Sequence, residues 1–512
     1  MITTNTTVGS DAGFRTRWPA LAVVLTGAFM ALLDTTIVNV ALPTIRTSLG
    51  ASNASLSWIV SGYALGFGLA LIPAGRIGDR IGHKRIFVVG LALFTLASLA
   101  CGLATDDVQL IGARAVQGLA GGIFFTAITA LIQLMFSGRQ RARAFAIMGA
   151  TIGVSTALGP LVGGLIIEAF GAELGWRLVF AVNIPIGAVA VVAAALVLPA
   201  GAVNAGAENA GAEHTSAEHA GAEHTGAESP PTADWPGLLL LSSGLIALLT
   251  PLIEGQQQNW PLWCFVSFGA AAALIGLFAI WERRVEKRGG SPLVPPRLFE
   301  HASFTGGVLL ALVFFAAFTS IFFTIALLWQ AGLSRSALQS GLVVMPFALG
   351  NVVGAAQSDA LAARFGRTVL VAGLGMVVVG IVADWAVLAF TSPIGYSGWH
   401  MLAPLLLAGI GSGLFIAPNT DFIVATVDRS EAGAASGVIG TMQRVGSAIG
   451  IAIIGTVLFG TLHPHSYGPD AMAMAFGHSA TLAMAVSAGM AVAAFVLVFA
   501  LPKNVGAQAM VR

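Results

Sequence analysis

An aspartate stands inside a long apolar run at "MALLDTTIVNVALP", residues 30–43, with Thr35, Thr36 and Asn39 close behind it. A charged Asp near the centre of a membrane-crossing helix costs about 2.5–3.5 kcal/mol on insertion scales, so it persists only where it faces water, finds a partner or carries a proton. The three polar neighbours suit a cavity wall rather than a lipid-facing surface. Burial disfavours the ionised form of a carboxyl group, and a carrier that alternates between protonated and charged states needs such a group. Asp34 is therefore the candidate for proton coupling, with Thr35 and Asn39 as candidate cavity lining. The alternative is a polar residue that only ties helices together by hydrogen bonds.

A second charge lies at membrane depth in "RAVQGLAGG", residues 114–122. Arg114, Gln117, Gly118 and Gly121 follow i, i+3, i+4, i+7 and share one face, so close helix contact there would bury Arg114 against a partner. Its guanidinium stays charged at any accessible pH, and it is the natural counter-ion for an approaching carboxylate; snorkelling to an interface is the alternative. Near the other end of the chain, Asp421 follows Asn419 and Thr420, and Arg444 lies in "GTMQRVGSAIG". Both are candidate cavity residues, and Arg444 has Asp421 or a carboxylate across the bundle as possible partners. Glu254 and Asp384 fall near the outer ends of apolar runs, where an interfacial role suffices.

Two glycine-rich segments complete the set. In "GRIGDRIGHKR", residues 75–85, Gly75, Gly78 and Gly82 permit tight turns, and Asp79 is surrounded by Arg76, Arg80, Lys84 and Arg85. An Asp–Arg contact in that loop would latch one conformation. In "GATIGVSTALGPLVGG", residues 149–164, Gly149 and Gly153 supply a small-xxx-small packing surface. Gly159–Pro160 predicts a bend, because proline removes a backbone hydrogen bond, and Gly163 and Gly164 follow.

The elements that must hold these residues are membrane helices. Of 512 residues, 56% are hydrophobic and 9% charged, with a mean hydropathy of +0.87, far from the quarter or so of charged residues usual in soluble domains. Apolar runs long enough to cross about 30 Å of hydrocarbon number fourteen, near 18–42, 56–75, 86–104, 109–135, 144–168, 177–198, 236–254, 261–281, 304–330, 338–358, 368–390, 400–424, 433–460 and 479–501. With both termini cytoplasmic, nineteen of the 24 Lys and Arg residues fall on the cytoplasmic side, as positive-inside placement requires.

Domain organisation follows. A cytoplasmic tail (1–17) leads into a six-helix bundle (18–198), then a low-complexity cytoplasmic linker (199–235), two inserted helices (236–281), a cytoplasmic loop (282–303), a second six-helix bundle (304–501) and a tail (502–512). The linker repeats an Ala-Glu pair with His214, His219 and His224 interleaved and no large apolar residue, a composition that cannot bury a core. The halves echo each other: "ARFGR" at 363–367 follows the tenth span as "DRIGHKR" follows the second, with Ala363 where the first copy has Asp79. Duplicated halves with a midplane site between them are a transporter design. Cys101 and Cys264 sit in or beside apolar runs without metal-ligand spacing, no span pairs His, Asp or Glu as an enzyme site would, and no G-x-x-x-x-G-K-[ST] phosphate loop occurs.

Together, the patterns "LDTTIVNVALP", "GRIGDRIGHKR", "RAVQGLAGG" and "GATIGVSTALGPLVGG" resemble the signatures of the major facilitator superfamily, specifically its fourteen-span drug:proton antiporters. "GWRLVFAVNIPIG" and "SPLVPPRLF" are similar to further stretches of that family. The resemblance implies an all-α fold of two six-helix bundles plus two inserted helices in the cytoplasmic membrane. It also implies proton-coupled export of drug-like amphipathic molecules, with no cofactor and no nucleic-acid partner. It assigns proton coupling to Asp34, proton relay to Arg114, a latch to Gly75, Asp79, Arg80 and Gly82, and gating to Gly153, Gly159, Pro160, Gly163 and Gly164. A proton-coupled importer and a non-transporting sensor are the alternatives, and a periplasmic adaptor is left open.

Overall fold

The computed structural model describes residues 10–136, 138–198, 234–255, 258–290, 292–424, 427, 432–462 and 470–501. The histidine-bearing linker at 199–233 lies outside the described residues, as do the side chains of Asp79 and Arg80. Among the described residues there is no strand.

The first six helices are α1 (Ser10–Leu49), α2 (Asn53–Ile81), α3 (His83–Leu103), α4 (Asp107–Met135), α5 (Gly138–Ala181) and α6 (Asn183–Val197). Then come α7 (Trp235–Glu254) and α8 (Leu262–Lys287), followed by α9 (Ala302–Leu327), α10 (Ala337–Phe365), α11 (Thr368–Phe390), α12 (Gly398–Val424), α13 (Ala432–Gly460) and α14 (Ala471–Ala500). Polar caps set several starts: the Ser55 backbone N–H donates to Ser52 Oγ at 3.0 Å, and that of Gln109 to Asp106 Oδ1 at 2.8 Å. Such caps satisfy donors that a helix end leaves without partners.

Helices long and apolar enough to cross a membrane number 13, because Arg143–Val197 runs as one stretch of 55 residues. At 1.5 Å per residue that stretch is far too long for one crossing. It breaks at Gly171, whose φ of 77° and ψ of 174° are not helical, and a Cβ added to Gly175 would lie 2.7 Å from Ile167 Cα. The chain therefore folds back on itself there, and the stretch makes two crossings. Fourteen crossings result. The reversal is at Gly171, whereas helical torsion persists through Gly159–Pro160.

The same packing pattern occurs twice. In the first half α2 and α3 pack on α4, α1 on α5 and α6, and α3 on α6; in the second α10 and α11 pack on α12, α9 on α13 and α14, and α11 on α14. The halves meet where α5 lies on α10 and α2 lies on α13. Glycines permit these approaches: a Cβ on Gly118 or Gly122 of α4 would strike the Tyr63 or Phe67 carbonyl of α2. The pair α7–α8 packs beside this body, with Trp58 Nε1 donating to Glu254 Oε1 at 3.0 Å and Thr456 Oγ1 to the Leu252 carbonyl at 2.5 Å.

Candidate functional site

Asp34, on α1, is fully buried and faces three side-chain donors. Arg114 Nη1 of α4 lies 2.5 Å from Oδ2, while Gln117 Nε2 of α4 and Asn183 Nδ2 of α6 donate to Oδ1 at 2.9 and 3.0 Å. Arg114 is itself 1% exposed; its Nε donates to the Ile59 carbonyl at 3.2 Å, and its guanidinium lies 4.0 Å from the Tyr63 ring centre. Ser98 of α3 accepts from Gln117 at 3.2 Å and Asn183 at 3.0 Å, and donates to the Phe180 carbonyl at 2.9 Å. Tyr63 of α2 donates to the Ala31 carbonyl at 3.1 Å.

Side chains of α4 and α6 thus meet on one carboxylate, with α2, α3 and the Phe180 carbonyl beyond Gly171 bound behind them. The shared face of Arg114, Gln117, Gly118 and Gly121 is realised, with the two polar members on Asp34 and the two glycines on Tyr63 and Phe67. Asn183, Ser98 and Tyr63 were not singled out from sequence. Their only signal is a polar atom inside an apolar run. A proton arriving on Asp34 would remove the charge opposite Arg114 and turn an acceptor oxygen into a donor, so this network cannot survive protonation unchanged.

One to two turns further along α1, polar atoms reach the seam between halves. Thr35 Oγ1 donates to its own helix at Ala31, at 2.9 Å, and Asn39 Nδ2 to the Thr35 carbonyl at 3.2 Å. Asn39 Oδ1 and Ser340 Oγ of α10 have no partner among the described residues, and both residues line a cavity of about 10 Å³ between the halves, roughly the room one water needs. Gln330, in the π-helical turn Leu328–Gly332 after α9, donates across the seam to the Val40 carbonyl at 2.8 Å.

The glycines of α5 work on two sides. Gly159 and Gly163 press on Thr36 and Ile37 of α1, while Gly153 and Gly164 meet Val352 and Leu338 of α10 and the Pro160 carbonyl abuts Gly341. Gly149 faces open space, so the expected packing at the inner end of this segment begins at Gly153. The expected loop at 75–85 is almost all helix, since α2 runs to Ile81 and α3 begins at His83; Gly82 alone makes the turn, with φ of 96°, while Gly75 is helical and a Cβ on it would lie 3.3 Å from Thr126 of α4.

Other sequence candidates fall elsewhere. Asp421 is exposed near the inner end of α12, and Arg444 does not pair with it or with any carboxylate among the described residues. Position 421 is three residues from its helix end and 444 is twelve from its own, which separates them in depth. Asp384 is not interfacial: it is fully buried in α11, and neither carboxylate oxygen has a hydrogen-bond partner among the described residues.

Residues 24–451 match the family model of the Major Facilitator Superfamily. The chain is 36% identical over 458 residues to a "Probable actinorhodin transporter" of Streptomyces coelicolor, covering 89% of this chain and 75% of that one. It is 31% identical to the "Tetracenomycin C resistance and export protein" of Streptomyces glaucescens (87% and 77% covered) and 33% identical to "Cephamycin export protein CmcT" of Amycolatopsis lactamdurans (88% and 86%). Among solved structures it resembles an auto-inhibited POT family peptide transporter, with a TM-score of 0.62 at 14% identity, 96% of this chain and 97% of that one being covered. The xylose transporter XylE from E. coli gives 0.57 at 12% identity, with 92% and 97% covered. A duplicated six-helix packing around a buried ion pair, a family match across most of the length and relatives above 30% identity lead to one assignment: the chain belongs to the major facilitator superfamily and is a multi-pass transporter of the cytoplasmic membrane, not an enzyme.

Proposed function

We propose that the chain exports drug-like small molecules by exchanging them for protons, with Asp34 as the proton-carrying group. The observation that carries this reading is the sealed Asp34–Arg114 pair, the one ion pair found at membrane depth among the described residues. In the cycle, a cytoplasm-facing cavity takes up substrate as Asp34 gives up its proton and closes on Arg114. After the halves reorient outward, a proton arriving on Asp34 opens the pair and substrate leaves. Arg114 holds the vacated charge, and Gln117, Asn183 and Ser98 keep the carboxylate oriented. The glycine contacts of α5 supply the surface on which the halves reorient, and Gly75, Asp79, Arg80 and Gly82 act as the cytoplasmic latch.

Relatives named for export of or resistance to tetracenomycin C, cephamycin, puromycin and methylenomycin A support the outward direction and the substrate class. A membrane potential supplies about 2.3 kcal/mol per elementary charge per 100 mV, so one or two protons sustain a large gradient with no cofactor. The test is proton release from inverted vesicles energised to an acid interior. Drug-triggered alkalinisation that disappears in Asp34→Asn is expected. Substrate entry coupled to proton entry in right-side-out vesicles would indicate an importer and refute the proposal.

A further inference from the structure

Arg444 is a cation at membrane depth that no acidic group answers among the described residues. It lies near the middle of α13, where a Cβ on Gly68 at the middle of α2 would come within 3.0 Å of its own Cβ, and therefore on the seam between the halves. Its guanidinium is 4.3 Å from the Phe67 ring centre. The residue is half-buried, and among the described residues its nitrogens make no hydrogen bond and meet no carboxylate. Arg114, over the neighbouring Tyr63 ring, has Asp34; among the described residues Arg444 has only the Phe67 ring. A guanidinium keeps its charge at any accessible pH, and an uncompensated charge at that depth marks a ligand or ion path by default.

A second feature has the same sign. Outside the Gln330–Val40 bridge the halves line an open cavity of about 770 Å³ toward the outer face, and among the described residues Arg46 and Arg335 stand in its wall while no Asp or Glu does. Neither arginine side chain is engaged in an ion pair among the described residues. At both places between the halves, the charged residues among the described ones are arginines. Such a lining concentrates anions and repels cations.

We infer that the exported molecule is an anion, an aromatic acid whose carboxylate, phenolate or sulfonate binds Arg444 over Phe67 and leaves past Arg46 and Arg335. This rests on the export reading and names its substrate class. The guanidinium fork matches a planar oxyanion, and its face stacks on rings, so one residue recognises both parts of such a molecule. The charge balance differs from that of a cation exporter. A monoanion leaving as one proton enters moves two charges in the same electrical sense, whereas a monocation exchanged for one proton moves none. Each net charge changes the equilibrium ratio about fifty-fold per 100 mV.

The test uses the purified full chain and two xanthene dyes of opposite charge, carboxyfluorescein and rhodamine 123. Binding is read by fluorescence anisotropy, and flux in proteoliposomes under a potassium–valinomycin potential without a pH gradient. Carboxyfluorescein is expected to bind and to move faster as the potential grows. Arg444→Gln should weaken that binding tenfold or more, and Arg444→Lys should restore part of it. Should Arg444→Gln fail to fold, Arg335→Gln, at an exposed site, still serves: it should slow carboxyfluorescein exit, and exit at an undiminished rate would overturn the inference. Tighter binding of rhodamine 123, anion binding indifferent to Arg444→Gln, or binding of neither dye would overturn the inference. Rhodamine 123 flux coupled to protons would leave export standing and remove the anion. Arg444-dependent anion binding without proton movement would do the reverse.

Discussion

Asp34→Asn keeps the size of the side chain and removes the charge opposite Arg114. Proton exchange should fall to background while the protein still inserts, and the melting midpoint should drop, because breaking a buried pair by one partner costs about 3–5 kcal/mol. Arg114→Gln should destabilise to a similar degree, and combining it with Asp34→Asn should recover much of that loss without recovering coupling. Thermal melts of the two single variants and the double variant, with vesicle pH assays alongside, check this. Additive losses in the double would contradict a direct pair. Asp34 and Arg114 were legible in the sequence because a charge in an apolar run demands an explanation. Asn183, Ser98 and Tyr63, which complete the site, were not, because uncharged polar side chains are common in membrane helices and serve packing as often as function. The pairing of Arg444 with Asp421 failed although the runs 400–424 and 433–460 nearly match α12 and α13: Asp421 lies three residues from the inner end of its helix and Arg444 twelve from that of its own, which already sets them at different depths.

Among the elements, α5 carries the sharpest test. A Cβ on Gly159 would collide with Thr36 and lie 3.0 Å from the Ile37 backbone nitrogen, while one on Gly149 meets nothing within 4 Å. Gly159→Ala should therefore cost about 1–3 kcal/mol through overpacking and slow transport by pushing α1 away. Gly149→Ala should be neutral or slightly stabilising, since alanine is the better helix former. Melting and flux of the two variants side by side decide between a packing role and a general intolerance of α5 to substitution. The glycine spacing was readable from sequence, and so was the chain reversal, since Gly171 falls between the apolar runs 144–168 and 177–198. Proline draws attention as a helix breaker, yet Pro160 stays helical with its carbonyl against Gly341, and the turn falls at Gly171, where the chain must leave the membrane and return. In α11, Asp384 has both oxygens buried without a partner among the described residues. Asp384→Leu should raise the melting midpoint, as one unsatisfied buried polar group costs about 1–3 kcal/mol, with flux retained; a loss of flux would give this carboxylate a functional role.

At the scale of the whole molecule, the duplicated packing leaves two seams, α5 on α10 and α2 on α13, related as mirror assignments of the same helix pair. A carrier that exposes one site to either side must open one end of these seams while keeping the other closed. The outer end is closed here by Gln330 on Val40, by Gly164 on Leu338 and by Ser57 on Gly455. At the last of these, a Cβ on Gly455 would stand 3.7 Å from Ser57 Cβ, close to the 3.8 Å average for a disulfide. The chain's own Cys101 and Cys264 are buried and free, so an introduced pair reacts against a quiet background. Ser57→Cys combined with Gly455→Cys should cross-link under mild oxidation, stop net flux, and regain it on reduction, while neither single variant responds to oxidant. Substrate added from the cytoplasmic side should still bind the cross-linked protein, since only the outer end is tied. Undiminished flux through fully cross-linked protein would mean that these ends never separate, and the movement that releases substrate would then have to lie within one half rather than between the two.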